Sequence, residues 1–122
     1  MKLLLVLIGG GLGAGCRYAV GLAAARLYGD NFPWGTLAVN LVGCFLIGLT
    51  FALGATTGLS PSLRLFLMTG FLGALTTFST FALETVSFAR DGLTVTAIAN
   101  VLAHNVGGLI AALLGMWAGR IV

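Results

Sequence analysis

Charged residues are what this sequence has least of. Only 7% of its 122 residues are Asp, Glu, Lys or Arg, whereas a soluble domain usually carries about 25%. Hydrophobic residues make up 59%, and the mean hydropathy is +1.11. This composition excludes a soluble globule, and it excludes a disordered segment, which needs high charge and low hydrophobicity. It indicates an integral membrane protein made almost wholly of spanning segments.

Cysteine is also scarce, with two residues in the chain. Cys16 and Cys44 fall inside apolar runs, where a thiol behaves as a small apolar side chain. We expect no disulfide between them, and no C-x-x-C spacing suggests a metal site. Six basic and three acidic residues are too few for a nucleic-acid-binding surface.

Long uncharged runs predict four membrane-spanning helices, since about 20 apolar residues cross the bilayer. The runs are too long, and alternate too little, for transmembrane strands. The predicted spans cover residues 3–27, 36–59, 63–88 and 93–119 of a single transmembrane domain. The apolar start resembles a signal peptide, but Arg17-Tyr18 interrupts it and apolar sequence then resumes, so we expect a retained first helix.

The basic residues are divided almost evenly between the two sides of the predicted bundle. With four spans, the termini lie on one side. The three basic residues on that side are Lys2, Arg64 and Arg120. Arg26 and Arg90 lie on the other side, and Arg17 lies inside the first span. Orientation normally follows an excess of Lys and Arg on the cytoplasmic side. Two interpretations stay open: one or two charges decide the orientation, or the chain inserts both ways and pairs antiparallel.

Glycine, in contrast, is abundant, with 19 residues, and several lie four positions apart within predicted spans. The pairs are Gly9 and Gly13, Gly11 and Gly15, and Gly115 and Gly119. Small residues at this spacing let helices approach closely in lipid. Packing within one subunit explains any single pair. Four short helices rarely enclose an aqueous path, so the pairs together predict a compact oligomer, most simply a two-fold dimer.

The third predicted span contains a stretch that suits a continuous helix poorly. Four hydroxyl residues lie within five positions: Thr76, Thr77, Ser79 and Thr80. Threonine is a weak helix former, and non-helical backbone at membrane depth is tolerated only where protein buries it or where it lines a cavity. We predict that the third helix is broken near mid-membrane, as in helices that coordinate ions. The alternative is a continuous helix whose hydroxyls bond back to the preceding turn.

Beyond this stretch, Thr77, Thr80 and Glu84 share one helical face and form a polar stripe. Phe78 and Phe81 are neighbours on the same helix. The positive edges of their rings can contact an anion, although lipid or core packing is the ordinary role of such residues.

Polar residues also lie in the second and fourth spans. The amide of Asn40 can donate hydrogen bonds to an anion or bond another helix. Asn100, His104 and Asn105 lie in the fourth span, where we expect a structural, hydrogen-bonded histidine. No nucleophile accompanies it, so the sequence predicts no catalytic triad and no enzyme.

Residues 70–81 (GFLGALTTFSTF) closely resemble the signature of the Fluc (CrcB-type) fluoride channels. Residues 35–40 (GTLAVN) resemble the second-span motif of that family, and the segment from Gly9-Gly10 to Arg17-Tyr18 is similar to its first-span pattern. The likeness covers essentially the whole chain in length, number of spans and order of motifs.

The resemblance implies an all-α membrane protein that forms an antiparallel dual-topology homodimer with two fluoride pores in a microbial plasma membrane. It implies passive efflux of fluoride from the cytoplasm. It also implies a central sodium ion, structural and not transported, held by backbone carbonyls of Gly73 and Thr76 from both subunits. Oxygen ligands suit such a hard cation. The implied fluoride pathway consists of Asn40, Phe78, Ser79, Thr80, Phe81 and Glu84.

The chain departs from the family pattern in the fourth span. Family members often carry hydroxyl residues there, and the matching positions in this sequence are Gly108 and Ala112, which offer no donor. His104 or Asn105 is the candidate substitute. Ala74 also stands where glycine is frequent, a small change that should leave the break intact.

Two other functions fit the same size and number of spans. A small dual-topology multidrug exchanger needs a membrane-embedded carboxylate in its first span, and this chain has none there. A non-transporting assembly subunit would pass no ion at all.

Overall fold

The computed structural model describes residues 1–56 and 58–121, and every regular element in these residues is helical. Four stretches are long and apolar enough to cross a membrane: Lys2–Tyr28, Trp34–Thr56, Pro61–Arg90 and Thr94–Ile121. We label the first two α1 and α2 and the last α6. The prediction of an all-α protein with four spans is confirmed.

The helix ends differ from the predicted spans by a few residues. Helix α2 ends at Thr56, before the predicted limit at residue 59, and Gly58 follows with a φ of +67°. Residues other than glycine rarely adopt this left-handed backbone, so it marks the end of a helix. Thr57, which the prediction assigns to this span, lies outside the described residues.

The third span is composite. It begins with α3 (Pro61–Arg64), where the side chain of Ser60 accepts a hydrogen bond from the N–H of Leu63 and Pro61 takes the first helical position, as is usual at helix starts. The rest of the span is a π-helical segment, Leu65–Leu72, then α4, Gly73–Leu75, and finally α5, Phe78–Arg90. π-Helical turns are rare and often occur at functional sites.

Glycines bring α2 and α6 into close contact, and this is the most extensive helix pair in the bundle. A Cβ atom on Gly115 would overlap the carbonyl of Phe45, and one on Gly48 would overlap the carbonyl of Ala112. Backbones pack directly against each other at these points, as the small-residue spacing predicts.

The two glycine pairs of α1 have different surroundings. Gly9 and Gly13 pack against the π-helical segment, because a Cβ on Gly9 would lie 3.1 Å from the Cα of Gly70 and one on Gly13 would overlap the carbonyl of Phe71. Gly11 and Gly15 have nothing within 4 Å of where a Cβ would lie. The first pair therefore packs within the subunit, and the second leaves an open stripe.

The apolar core of the single chain is small. Val39, Leu72 and Leu75 are buried together, and Leu46 and Phe71 pack against them. Most other large apolar side chains lie exposed on the outer surface, where a membrane protein meets lipid. The core lies beside the point at which α4 ends, so it fixes α2 against the third span.

Candidate functional site

The backbone is extended at Thr76 and Thr77, between α4 and α5. Thr76 has φ −81° and ψ 153°, and Thr77 has φ −149° and ψ 115°. Both residues are β-branched, and such residues favour extended backbone over helix. Two peptide units in the third span therefore point their polar groups away from the helix axis.

Asn40 of α2 holds this extended segment with both ends of its amide. Its Nδ2 donates to the carbonyl of Thr77 at 3.0 Å, and its Oδ1 accepts from the N–H of Thr77 at 2.7 Å. A buried peptide group without partners costs about 1–3 kcal/mol, so this paired contact stabilises backbone that the helix no longer satisfies.

The same contacts release two carbonyl groups. In an uninterrupted helix, the carbonyl of Gly73 would accept from the N–H of Thr77, and that of Thr76 from the N–H of Thr80. Here the N–H of Thr77 donates to Asn40, and the N–H of Thr80 donates to the hydroxyl of Thr77 at 3.2 Å. Gly73 and Thr76, whose carbonyls the family resemblance implies as cation ligands, thus lack the N–H donors of a continuous helix.

Thr76 is fixed on both sides of its side chain. Its hydroxyl donates to the carbonyl of Leu72 at 3.0 Å, bonding back to the preceding turn as the alternative prediction expects. Its methyl group lies against Gly43, where a Cβ would overlap it. Only glycine at position 43 leaves room for the methyl group.

Thr77 lies outside the helical face on which the sequence places it with Thr80 and Glu84. It is instead the N-terminal cap of α5, because its extended backbone turns the hydroxyl towards the first free N–H groups. This hydroxyl also donates to the Oγ1 of Thr80 at 3.0 Å and lies 3.2 Å from the Oγ of Ser79. The hydroxyls of Thr77, Ser79 and Thr80 therefore form a local cluster around the cap.

Phe78 and Phe81 form a tilted ring pair, with centroids 5.3 Å apart and planes at 55°. Phe81 is 7% exposed, whereas Phe78 is 76% exposed on the single chain. The two rings that the sequence treats alike thus have opposite environments.

A cavity of about 290 Å³ brings most of the predicted residues together between α2, the third span and α6. Its lining residues are Asn40, Gly43, Cys44, Ile47, Leu72, Gly73, Thr76, Thr77, Phe78, Phe81, His104 and Asn105. Ser79, Thr80 and Glu84 are not among them. The predicted pathway is therefore divided between this cavity and neighbouring openings.

Two further openings contain Thr80 and Glu84, but neither is lined by Ser79. Thr80 lines one, together with Thr77, Thr36 and Arg17. Glu84 lines the other, beside Thr36 and Asp30. The hydroxyl of Thr36 donates to Glu84 Oε1 at 2.7 Å, while Glu84 Oε2 is buried without a hydrogen-bond partner among the described residues. Thr36, which the sequence analysis does not select, links the two openings.

The fourth-span positions differ from one another in their surroundings. A Cβ on Gly108 would lie 3.4 Å from the Sγ of Cys44, so a thiol from α2 occupies the space beside it. Asn105 donates to the carbonyl of Val101 in its own helix at 2.8 Å. His104 packs against Phe81 with ring centroids 4.5 Å apart. Of the two candidate substitutes, His104 is the one in contact with an aromatic residue of the predicted pathway.

Asn100 is a polar residue whose partners the sequence does not reveal. It is completely buried, and its Nδ2 donates to the Oγ1 of Thr85 at 2.9 Å. Thr85 lies one turn after Phe81 on α5. In the sequence, Asn100 is marked as a functional candidate only by being an amide within an apolar span.

Comparison with known proteins identifies the family. Residues 4–116 match the family model described as CrcB-like protein, Camphor Resistance (CrcB). Similar proteins named fluoride-specific ion channel FluC occur in several bacteria. That of Mesorhizobium japonicum is 47% identical, covering 98% of this chain and 96% of the relative. That of Salinibacter ruber is 48% identical, covering 94% and 86%, and that of Acidobacterium capsulatum is 48% identical, covering 98% and 97%.

These matches cover nearly the whole chain, and the resemblance expected from the motifs is confirmed. With its four membrane-spanning helices, the protein is a multi-pass integral protein of the bacterial cell membrane, and it belongs to the CrcB-like family.

Proposed function

We propose that this protein is a fluoride-selective passive channel that lets fluoride leave the cytoplasm and so relieves fluoride toxicity. The names of its relatives, fluoride-specific ion channels, suggest the ion. The observation that carries the proposal in this chain is the cavity where Asn40, Thr77 and two phenylalanine rings meet.

The donors around this cavity suit a small, tightly hydrated anion. Fluoride that leaves water needs protein donors in place of its hydration shell. Asn40 Nδ2 has two hydrogens and gives one to the carbonyl of Thr77, so its second N–H is available. The edges of Phe78 and Phe81 carry partial positive charge and exclude water. A narrow passage of this kind disfavours the larger chloride ion.

A second copy of the chain completes the site. Gly73, Phe78, Ser79 and Thr80 flank the extended segment and are all exposed on the single chain, whereas non-helical backbone at membrane depth needs to be buried in protein or to line a cavity. The open stripe of Gly11 and Gly15 on α1 allows close helix contact. The even division of basic residues allows a partner of opposite orientation. We therefore infer an antiparallel homodimer with a pathway on each side.

The carbonyls of Gly73 and Thr76 are the proposed ligands of a structural sodium ion. Both have lost the N–H donors that a continuous helix would supply, so their lone pairs are available to a hard cation. One copy supplies two such oxygens, and its antiparallel partner would supply two more around the dimer axis. The bound ion would offset the carbonyl dipoles that otherwise repel one another.

The proposal is tested by fluoride efflux from liposomes containing the purified protein, followed with a fluoride-selective electrode, with chloride efflux as the control. Rapid fluoride efflux with little chloride efflux is expected. Equal rates for the two anions would contradict selectivity, and the absence of any ion flux would favour an assembly subunit. Proton-driven uptake of a quaternary dye would favour the exchanger.

A further inference from the structure

We propose that a buried polar cluster behind Phe81 fixes the orientation of its ring, with His104 as the positioning residue. The cluster consists of Thr85, Asn100 and His104, and we call it the Phe81 clamp. The inference rests on the proposed fluoride channel and concerns how this chain aims an aromatic ring at the anion.

The first part of the Phe81 clamp ties α5 to α6. Asn100 is completely buried, and its Nδ2 donates to the Oγ1 of Thr85 at 2.9 Å. The hydroxyl of Thr85 donates its own hydrogen to the carbonyl of Phe81 at 2.8 Å. A single threonine hydroxyl thus connects the Phe81 backbone to the fourth span, which fixes the rotation of this turn of α5 relative to α6.

The second part acts on the ring. His104 Nδ1 lies 3.0 Å from the carbonyl of Asn100, and a carbonyl can only accept, so Nδ1 carries the hydrogen. This bond sets the plane of the imidazole. The imidazole ring packs against Phe81 with centroids 4.5 Å apart and planes at 36°. The orientation of Phe81 is therefore set by a side chain that is itself held by a backbone carbonyl.

Ring orientation decides whether a phenylalanine attracts or repels an anion. The edge of the ring is positive and the face is negative, so a ring free to rotate would present its face to fluoride part of the time. His104 packs on Phe81 from α6, and the tilted ring of Phe78 packs on it at 5.3 Å. These two neighbours restrict the rotation of the Phe81 ring where it lines the cavity, and we infer that they hold its edge towards the anion.

The test compares His104→Ala with His104→Phe in the liposome efflux assay. His104→Ala removes the ring and should lower fluoride efflux by about tenfold, the scale of a lost aromatic pair. It should also lower the ratio of fluoride to chloride efflux, which a loss of folded protein alone would not change. His104→Phe keeps a flat ring against Phe81 but loses the bond to the Asn100 carbonyl, so its efflux should lie between that of His104→Ala and that of the wild type.

A second pair of variants tests the connection through Thr85. Thr85→Ser keeps the hydroxyl, whereas Thr85→Val has nearly the same shape without it. We expect Thr85→Val to lower both efflux and the fluoride-to-chloride ratio, and Thr85→Ser to retain them. Gel filtration and thermal unfolding in detergent identify variants that no longer fold.

The outcomes separate this inference from the proposed function. If the wild-type protein carries no fluoride, the proposed channel is wrong. If the wild-type protein carries fluoride and folded His104→Ala carries it equally fast and equally selectively, the channel stands and the Phe81 clamp is wrong. Equal losses in folded His104→Ala and His104→Phe would also overturn it, because a ring at position 104 would then make no difference.

Discussion

At the scale of single residues, Asn40 has the most consequential contact in the molecule. One side chain satisfies both the N–H and the carbonyl of Thr77, and this frees the carbonyl of Gly73. An aspartate or a leucine of similar size would satisfy at most one of these groups. Asn40 therefore supports the backbone of Thr77 as well as lining the cavity. Replacing it with a side chain of similar size disturbs both roles.

Asn40→Ala should lower both stability and fluoride flux. Two hydrogen bonds are lost and two buried backbone groups of Thr77 are left without partners, at a cost of about 2 kcal/mol or more. Thermal unfolding in detergent measures the loss of stability. Thr50→Val is the matched control on α2, since the Thr50 hydroxyl donates to the carbonyl of Leu46 in its own helix. Equal melting temperatures for the two variants would contradict the role of Asn40.

Phe81→Ile should suppress fluoride efflux while leaving the oligomeric state unchanged. Isoleucine fills much of the same volume but has no positive ring edge, so the loss should appear in transport, by about tenfold or more. Phe51→Ile provides the control, because Phe51 is 51% exposed on the outer surface of α2. Undiminished flux in folded Phe81→Ile would remove this ring from the mechanism.

At the scale of elements, the sequence predicts the spans well and their internal contacts poorly. Uncharged runs are enough to find four helices, because the bilayer imposes their length and polarity. The cluster of hydroxyl residues also marks the part of the third span where Thr76 and Thr77 are extended. The π-helical segment has no such marker, since its residues are as apolar as those of α2.

The contacts between elements were beyond prediction for a physical reason. Asn40 and Thr77 are 37 residues apart, and their pairing depends on the depth and rotation of two helices. The capping role of Thr77 depends on where α5 begins, and helix starts are the least certain feature of a sequence-based prediction. The contact of Asn100 with Thr85 likewise follows from packing, so periodicity alone leaves Asn100 as one polar residue among three.

Gly43→Ala tests how α2 and the extended segment fit together. The added methyl would overlap the Cγ2 of Thr76, so we expect a loss of stability of about 1–3 kcal/mol from overpacking and reduced fluoride efflux. Thr76→Ser removes that methyl and keeps the hydroxyl that bonds Leu72.

The double variant Gly43→Ala with Thr76→Ser should therefore recover most of the stability and efflux that Gly43→Ala loses. Thermal unfolding and the efflux assay measure this recovery. If the losses of stability and efflux in the two single variants simply add in the double variant, Gly43 is not needed to make room for the methyl of Thr76.

At the scale of the whole molecule, the proposed antiparallel homodimer makes one chain only part of the working unit. The even distribution of basic residues leaves two orientations open, and the proposed dimer requires that chains insert both ways. A single reactive cysteine, Ser62→Cys, in a chain carrying Cys16→Ser and Cys44→Ser reports orientation through a membrane-impermeant thiol reagent.

About half of the molecules should react from each side of the membrane. Leu3→Lys in the same background adds a positive charge on the side of the termini and should shift the labelling towards one side. Labelling of every molecule from one side, without the added lysine, would exclude antiparallel pairs.

The exposed residues Gly73, Phe78, Ser79 and Thr80 need an inverted copy of the chain to cover them, and this need limits how many complete pathways a cell can assemble. If two inverted chains meet to form each conduit, the supply of conduits is limited by whichever insertion direction is rarer. One extra arginine in a connecting loop then lowers the number of complete pathways by biasing insertion towards one orientation, without changing the fold of any single chain. The tolerance of the cell to fluoride then depends on the ratio in which the two orientations are inserted into the membrane.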